Sequence, residues 1–355
     1  MSSVEKKLLT ERSEYIDILK AFAIFLVILG HAPLCHSGVK QFIYSFHMPV
    51  FFSVYGMTYS SLKHKEADFL TIPFIQKKIW RLILPTFIWA FGYTIVNSVC
   101  AASFNPKYIM YVFYGSQASL KMAHSLSSIW FLPVMFLSVV FVEFIMDKIN
   151  RISENKVVYN AIIAFLIFLL SIISYELPHL SNGYPWGINI VPMAIACILL
   201  GFVLEDVSLY WKSNHIVVCL VATMSTCLTY LLCKLNLQYI PLHNADMASG
   251  TYGNYFLYIL NVFTGTLMMM SISHMISHII HSKILSFIGM NTLAIFLIHK
   301  PLIKWLCNIS IRYGLGNWTL SILYSLIVLL ICSLLAYWLN TICPEIIGRR
   351  RSNKA

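Results

Sequence analysis

Apolar segments recur along the whole chain, from Ile16 to Ile342, and no long polar stretch separates them. A helix needs about 20 apolar residues to cross a hydrocarbon layer about 30 Å thick. Ten segments are close to this length: 16–36, 41–61, 79–101, 127–146, 157–175, 188–204, 215–234, 254–277, 285–305 and 319–341. Only 11% of the residues are charged, whereas soluble domains have about 25%. The sequence therefore predicts an all-α, polytopic integral membrane protein with about ten transmembrane helices.

The positions of Lys and Arg indicate the orientation of the chain in the membrane. With the N-terminus in the cytoplasm, 18 of the 25 basic residues fall in cytoplasmic segments and 7 on the other side. An excess of Lys and Arg marks cytoplasmic loops. We therefore expect an even number of spans, with both termini cytoplasmic. The prediction is a single membrane domain over 1–355, with a core at about 15–342 and short cytoplasmic tails at 1–14 and 343–355.

The net charge of +11 raises the question of a nucleic-acid partner. The basic residues lie mainly at the ends of apolar segments and in alternate loops, which is the pattern that sets membrane topology. Aromatic residues lie inside the apolar segments and do not alternate with basic ones, and no zinc-finger or RNA-recognition motif is present. We expect no nucleic acid as a partner.

The first predicted span contains three ionisable residues, Asp17, Lys20 and His31. Asp17 and Lys20 are three residues apart, so a helix places them on one face as an ion pair. His31 follows Lys20 by eleven residues, or about 16 Å of helix on the same face. Ionisable groups inside a membrane often mark a functional site. The alternative is that Lys20 and His31 only mark the two membrane boundaries.

Other histidines are less informative. His47 and His299 fall near the predicted outer ends of helices, where contact with the interface is a sufficient explanation. His274, His278 and His281 share a helical face, the arrangement that could hold a metal. No Asp, Glu or Cys nearby in the sequence completes such a set, so we expect no metal site.

The third predicted span begins with a cluster of cations, Lys77, Lys78 and Arg81. Lys78 and Arg81 are about one helical turn apart. Such a cluster at a cytoplasmic helix end can set topology or bind lipid headgroups. It can equally bind a phosphorylated ligand through charge-assisted hydrogen bonds. The sequence leaves both interpretations open.

Several separated motifs together resemble the acyltransferase 3 family of membrane acyltransferases, most closely its fucose 4-O-acetylase-like branch. The resemblance extends over about 15–305, and it depends on the order and spacing of the motifs rather than on any one of them. The motifs are Lys20 followed by His31, Phe46-His47-Met48-Pro49 with Phe51-Phe52, Lys78 with Arg81 and Pro85, Trp130-Phe131-Leu132, and Gly289 with Asn291, Thr292, Leu293 and His299. Two positions differ from the family's pattern. Tyr55 stands where the family has a serine before Gly56, and it keeps a hydroxyl. Lys78 stands where the family has an arginine; the lysine keeps the positive charge but cannot bind a phosphate through two parallel hydrogen bonds.

This resemblance implies transfer of an acyl group, usually acetyl from acetyl-CoA, to a hydroxyl of a cell-envelope glycan such as O-antigen, capsule or exopolysaccharide. It implies that His31 is the general base, that Asp17 and Lys20 line or brace the reaction path, and that transfer is direct within a ternary complex. Lys77, Lys78 and Arg81 would bind the phosphates of CoA. The remaining residues expected to contact substrate are His47, Tyr55, Trp130, Asn291 and His299. The expected location is the bacterial inner membrane, with membrane lipid and a glycan or lipid-linked sugar as further partners.

Two alternatives are of a different class. A transporter or flippase for a lipid-linked glycan would use the same polar residues to line a path, and it would not depend on CoA. A polytopic scaffold would use them only to set topology.

Overall fold

The computed structural model describes residues 3–62, 71–152, 155–208, 214–240, 244–315 and 317–351. Over these residues the chain forms fifteen α-helices. They are α1 (Ser3–His31), α2 (Ser37–Tyr44), α3 (His47–Leu62), α4 (Ile72–Lys78), α5 (Leu84–Cys100), α6 (Lys107–Tyr114), α7 (Gln117–Met122), α8 (Phe131–Ile152), α9 (Lys156–Glu176), α10 (Val191–Ser208), α11 (His215–Asn236), α12 (Tyr255–Ile279), α13 (Lys283–Met290), α14 (Thr292–Arg312) and α15 (Trp318–Ile342). The described residues contain no strand beyond one isolated bridge between Asp246 and Thr251. The predicted all-α class is confirmed.

Short helical turns of other kinds join or extend these helices. A π-helix, Ile79–Ile83, connects α4 to α5. Single 3-10 turns lie at Ser127–Trp130, Pro185–Gly187, Leu237–Tyr239, Met247–Ser249 and Pro344–Ile347.

Eight helical stretches in the described part of the chain are long and apolar enough to cross a membrane: Ile72–Cys100, Ser127–Asn150, Val157–Glu176, Pro185–Ser208, His215–Tyr239, Tyr255–Ile279, Thr292–Arg312 and Trp318–Ile342. They confirm a polytopic membrane protein. The first two predicted spans correspond to α1 and α3, which are not among the eight, so the count of ten and the cytoplasmic termini stay predictions. Lys63, Lys65, Lys212 and Lys354, which the orientation argument counted, lie outside the described residues.

Two predicted spans are divided in the structure. The span predicted at 41–61 breaks after Tyr44, and α3 starts at His47. Pro49 lies in the first turn of α3, where its missing N–H costs no helical hydrogen bond, whereas inside a continuous helix it would remove one. The span predicted at 285–305 breaks at Asn291, whose side-chain Nδ2 donates to the carbonyl of Phe287 at 2.7 Å. A side chain that satisfies the last turn in this way favours helix termination.

The third predicted span starts earlier than expected, at Ile72, because Thr71 caps it. Its Oγ1 accepts the backbone N–H of Phe74 at 3.3 Å, which satisfies a donor of the first turn. The π-helix then precedes Pro85. Proline has no N–H to donate to the carbonyl four residues earlier, that of Arg81, so the regular hydrogen-bond pattern is interrupted here.

The chain divides into two compact units. The first comprises the described residues of Met1–Leu62, Leu200–Ala245 and Tyr252–Ala336, and the second those of Lys63–Leu199, Asp246–Thr251 and Tyr337–Ala355. The core of the first unit is apolar and joins α1, α3, the end of α10 and α12. Its buried members are Tyr15, Ile16, Leu19, Ala23, Phe46, Val50, Val54, Met57, Leu204, Met268, Met269 and Met270.

In the second unit the segment from Ser103 to Leu126, which lies between two predicted spans, forms α6 and α7. Hydrogen bonds fix it to the turn before α10. Trp186 Nε1 donates to the carbonyl of Phe113 at 2.9 Å, and Tyr114 donates its hydroxyl to the carbonyl of Gly183 at 2.9 Å. The segment is therefore a packed part of this unit.

Candidate active site

His31 is the last residue of α1 and is partly buried. Its Nδ1 lies 3.0 Å from Nε2 of His299, a residue of α14 with 0% exposure. The two ring centroids are 5.1 Å apart, and the rings are tilted by 38°. The structure thus brings together two of the histidines that the sequence singled out separately.

The hydrogen bonds of His299 determine which nitrogen of His31 is free to accept a proton. Nδ1 of His299 lies 2.8 Å from the carbonyl oxygen of Phe296, and because a carbonyl only accepts, this nitrogen carries the proton. In the neutral ring Nε2 of His299 is then an acceptor, so His31 must donate from Nδ1. The proton of neutral His31 is therefore on Nδ1, and the lone pair is on its Nε2.

Two more side chains of the first unit join this pair. Tyr44, near the end of α2, makes an edge contact with His31, with ring centroids 6.4 Å apart, and lies 4.9 Å from the ring of His47. His47 donates from Nδ1 to the carbonyl of Ile43 at 2.9 Å, which leaves the lone pair of its neutral ring on Nε2. His31, Tyr44, His47 and His299 are called the histidine cluster below.

Gly30 allows this approach. A Cβ at this position would lie 3.0 Å from Cε2 of Tyr44. The sequence analysis did not identify Tyr44 as a neighbour of His31. The sequence did contain a signal for this contact. The short connection between the first two predicted spans makes them antiparallel neighbours, so the start of the second lies beside the end of the first.

Lys40 and Lys300 lie close enough to His31 for their positive charge to act on it. Lys40 also has its Nζ 5.6 Å from the ring centroid of Tyr44. Positive charge beside His31 stabilises negative charge that develops there during a reaction.

The predicted ion pair of the first helix is confirmed. Lys20 Nζ and Asp17 Oδ1 lie 2.5 Å apart, with the side chains 24% and 15% exposed. Gly289 of α13 packs directly on this turn, since a Cβ there would lie 2.0 Å from the carbonyl oxygen of Asp17. The Gly289 motif thus holds α13 against α1 at the ion pair. Whether Asp17 and Lys20 take part in a reaction stays a prediction.

A buried carboxyl group close to this turn was missed by the sequence analysis. Tyr15 donates its hydroxyl to Glu205, which is 0% exposed and lies near the end of α10. The ring of Tyr15 also makes an edge contact with His274, with centroids 5.7 Å apart. Glu205 follows the end of a predicted span directly, and a carboxylate at that position could have been recognised as a partner for a donor on another helix.

Two other predicted contact residues lie in the first unit. Asn291 is 3% exposed and terminates α13 through its side chain, as described above. Tyr55 is partly buried in the middle of α3, where its carbonyl accepts from Oγ1 of Thr58 at 2.8 Å. The structure gives Asn291 a structural role, and a substrate contact for either residue stays a prediction.

The predicted donor-binding cations and Trp130 belong to the second unit. Lys77 and Arg81 are exposed, and Lys78 places Nζ 5.0 Å from the ring centroid of Phe74. Arg81 lies in the π-helix, where a turn contains more residues than in an α-helix. Trp130 is 4% exposed and makes an edge contact with Phe131.

His274 and His278 lie in α12, but His281 lies beyond its end at Ile279, so the three histidines do not share one helical face as expected. His278 Nε2 lies 3.2 Å from Nε2 of His274, whereas His281 pairs through Nδ1 with Glu14 Oε2 at 3.0 Å. Among the residues that the structure describes, no group of three or more His, Cys, Asp or Glu side chains is arranged to hold a metal ion.

Comparison with known proteins adds one finding. A family model described as an acyltransferase domain, that of acyltransferase 3, matches residues 13–337 of the chain. No curated protein matches it. The match includes every residue of the histidine cluster, the Asp17–Lys20 pair and the cations at the start of the third predicted span.

Proposed function

The chain belongs to the acyltransferase 3 family and is a multi-pass membrane acyltransferase, and on that premise we propose that it transfers acetyl from acetyl-CoA to a hydroxyl group of a cell-envelope glycan. The observation that carries this proposal is the hydrogen bond between His31 and His299. It leaves a lone pair on Nε2 of His31, which a general base requires. We place the protein in the bacterial inner membrane, where cytoplasmic acetyl-CoA and lipid-linked sugars are both accessible.

In the proposed reaction, Nε2 of His31 takes the proton of the acceptor hydroxyl as its oxygen attacks the thioester carbonyl. The carbon–oxygen bond forms, and negative charge develops on the carbonyl oxygen. The tetrahedral intermediate then collapses, the carbon–sulfur bond breaks, and the CoA thiolate takes the proton back from His31. The products are the acetyl ester and free CoA thiol, and no acyl-enzyme forms.

His299 supports both protonation states of His31. It accepts from Nδ1 of His31 before the reaction, and the same hydrogen bond strengthens when His31 becomes an imidazolium. The cationic side chains of Lys40 and Lys300 favour the negative charge of the intermediate. Each group therefore has a task in direct transfer within a ternary complex.

For the donor, we propose that Lys77, Lys78 and Arg81 bind the phosphates of CoA. Arginine offers a planar fork of donors to phosphate, and lysine adds a mobile point charge. Exposure of Lys77 and Arg81 leaves both side chains accessible to a soluble ligand. For the acceptor, His47 and Tyr44 are the proposed contacts, since both rings lie beside His31. Tyr55, Trp130 and Asn291 remain further proposed contacts.

The test uses the purified full-length protein with radiolabelled acetyl-CoA and a crude polysaccharide or lipid-linked sugar acceptor. Label should enter the glycan with wild type, and His31→Ala should lower the rate by about 100-fold or more. His215→Ala is the matched control, because His215 is an exposed histidine at the start of α11. Full transfer by a folded His31→Ala protein would overturn the proposed base. Glycan movement across proteoliposomes without label transfer would instead indicate a transporter.

A further inference from the structure

Asn261, in the outer half of the predicted span at 254–277, has a buried side-chain amide without a hydrogen-bond partner. The residue is 0% exposed, and neither its Oδ1 nor its Nδ2 has a partner among the residues that the structure describes. Burying a polar group without a hydrogen bond costs free energy. Asn261 lies in α12, one of the stretches long and apolar enough to cross a membrane, where bulk water cannot compensate. An amide that is left unpaired at this cost requires an explanation.

Asn236, on the adjacent helix α11, shows that the same fold can satisfy a buried amide. It is 3% exposed. Its Nδ2 donates to the carbonyl of Tyr252 at 2.8 Å, and its Oδ1 accepts the backbone N–H of Asn254 at 2.8 Å. Both polar atoms of Asn236 therefore have partners inside the first unit, as buried amides usually do. Asn261 differs from Asn236 in this respect and not in residue type or burial.

The polar groups near Asn261 bond to other atoms. Oγ1 of Thr264 lies 3.0 Å from Oγ1 of Thr229 and 3.4 Å from the backbone carbonyl oxygen of Asn261. This threonine therefore contacts the backbone of Asn261 and not its side chain. From Tyr255 to Ser273, α12 contains no Asp, Glu, Lys, Arg or His. A charged ligand would find no compensating charge on this helix, so the chemistry favours a neutral, polar group as the partner of the amide.

The position of Asn261 relates it to the histidine cluster. Gly265 follows Asn261 by four residues and therefore lies on the same side of α12, about 6 Å along the helix. A Cβ at Gly265 would lie 2.5 Å from Cβ of Phe46, so α12 packs directly on the start of α3. Phe46 immediately precedes His47, a member of the histidine cluster. The unpaired amide thus lies one helical turn from the contact between α12 and the segment that carries His47.

We propose that Asn261 binds hydroxyl groups of the glycan acceptor and is a specificity-determining residue for it. This inference rests on the proposed function, in which His47 and Tyr44 contact the acceptor. A primary amide has two N–H donors and one carbonyl acceptor, and a hydroxyl both donates and accepts. Two neighbouring hydroxyls of a sugar ring can therefore pair with both ends of the amide. A site of this kind discriminates strongly against a molecule that lacks the hydroxyl, because the buried polar group then stays unpaired.

The test compares Asn261→Leu with Asn236→Leu, since leucine keeps the branched shape and has no polar atom. Tm is measured on the full chain in detergent, together with the KM for acetyl-CoA and the apparent KM for the crude polysaccharide acceptor. Asn261→Leu removes an unpaired amide and should raise the Tm by about 2–5 °C, whereas Asn236→Leu breaks two hydrogen bonds and should lower it. Asn261→Leu should also raise the acceptor KM by about tenfold or more.

The two remaining kinetic values are controls. The KM for acetyl-CoA should stay within about twofold of wild type in Asn261→Leu, and so should the acceptor KM in Asn236→Leu. Asn261→Ala cannot overpack the site, so it covers the case in which the leucine variant does not fold. It should raise the acceptor KM by about the same factor as Asn261→Leu.

Other roles for Asn261 give different patterns. If the amide holds a water molecule as part of the fold, Asn261→Leu lowers the Tm and leaves the acceptor KM unchanged, which overturns the inference. A higher KM for acetyl-CoA with an unchanged acceptor KM assigns the amide to the donor and also overturns it. If wild type transfers label and the folded Asn261→Ala protein has an unchanged acceptor KM, the inference fails and the proposed function stands. If wild type transfers no label, the proposed function fails and the inference fails with it.

Discussion

Nδ1 of His31 and Nε2 of His299 lie 3.0 Å apart, although 268 positions separate them in the chain. The carbonyl of Phe296 fixes the proton of His299 on its other nitrogen, so the direction of this hydrogen bond is determined. The proposed base and the residue proposed to orient it therefore come from opposite ends of the sequence.

The first prediction concerns His299 as a positioning residue. His299→Ala should lower kcat by about 10- to 100-fold, because losing a buried partner costs about 1–3 kcal/mol. The KM for acetyl-CoA should change little. His299→Gln should recover part of kcat, since its side-chain oxygen can accept from Nδ1 of His31. Steady-state kinetics of the three proteins provide the measurement, and equal losses in the Gln and Ala variants would contradict the role.

The second prediction concerns the contact between Gly289 and Asp17. Gly289→Ala should destabilise the protein by about 1–3 kcal/mol or more, because the new methyl group would overlap the Asp17 carbonyl. Gly92→Ala is the control: Gly92 lies in α5, and a Cβ there meets no atom within 4 Å. Thermal unfolding in detergent should show a lower Tm for Gly289→Ala than for wild type. The Tm of Gly92→Ala should not be lowered. Equal Tm values would mean that α13 does not pack tightly on α1.

The third prediction concerns the buried carboxyl group of Glu205. Tyr15→Phe removes a hydroxyl that donates to Glu205 and should cost about 1–3 kcal/mol of stability. Tyr313→Phe removes the same atom from a side chain that is 79% exposed, so it should leave stability within about 0.5 kcal/mol of wild type. Chemical unfolding of both variants is the measurement. A Tyr15→Phe protein as stable as wild type would exclude an important role for this hydrogen bond.

The fourth prediction concerns Lys78, where a lysine stands in the proposed donor site. Lys78→Arg should lower the KM for acetyl-CoA, because a guanidinium can bind a phosphate through two parallel hydrogen bonds. Lys78→Ala should raise it by about tenfold. Lys107→Arg, the same change at an exposed position at the start of α6, should have no effect. An unchanged KM in both Lys78 variants would remove this residue from the donor site.

Local features of the fold were predictable from the sequence, and contacts distant in the chain were not. The Asp17–Lys20 pair follows from helical periodicity alone, because it needs only one regular helix. The long apolar helices follow from the thickness of a bilayer. His31 and His299 were each recognised, but their pairing depends on how α1 and α14 pack, which no single-helix pattern contains.

Hydropathy also could not predict the positions at which helices break. The turns at Asn291 and before His47 lie inside continuous apolar runs, so a window average cannot detect them. Pro49 favours one break because it has no N–H to donate, and Asn291 favours the other through one side-chain hydrogen bond. The Tyr15–Glu205 contact was missed because an acidic residue next to a span resembles an ordinary helix end unless a donor on another helix is considered.

The π-helix Ile79–Ile83 has a consequence for helix phase. A π-turn is equivalent to an insertion of one residue into an α-helix. Without that extra residue, every side chain of α5 would be rotated by about 100° relative to α4. Trp89 would then face another direction, and its hydrogen bond to Ile346 would be lost. The number of residues in this one turn therefore determines which face of α5 contacts the segment that contains Ile346.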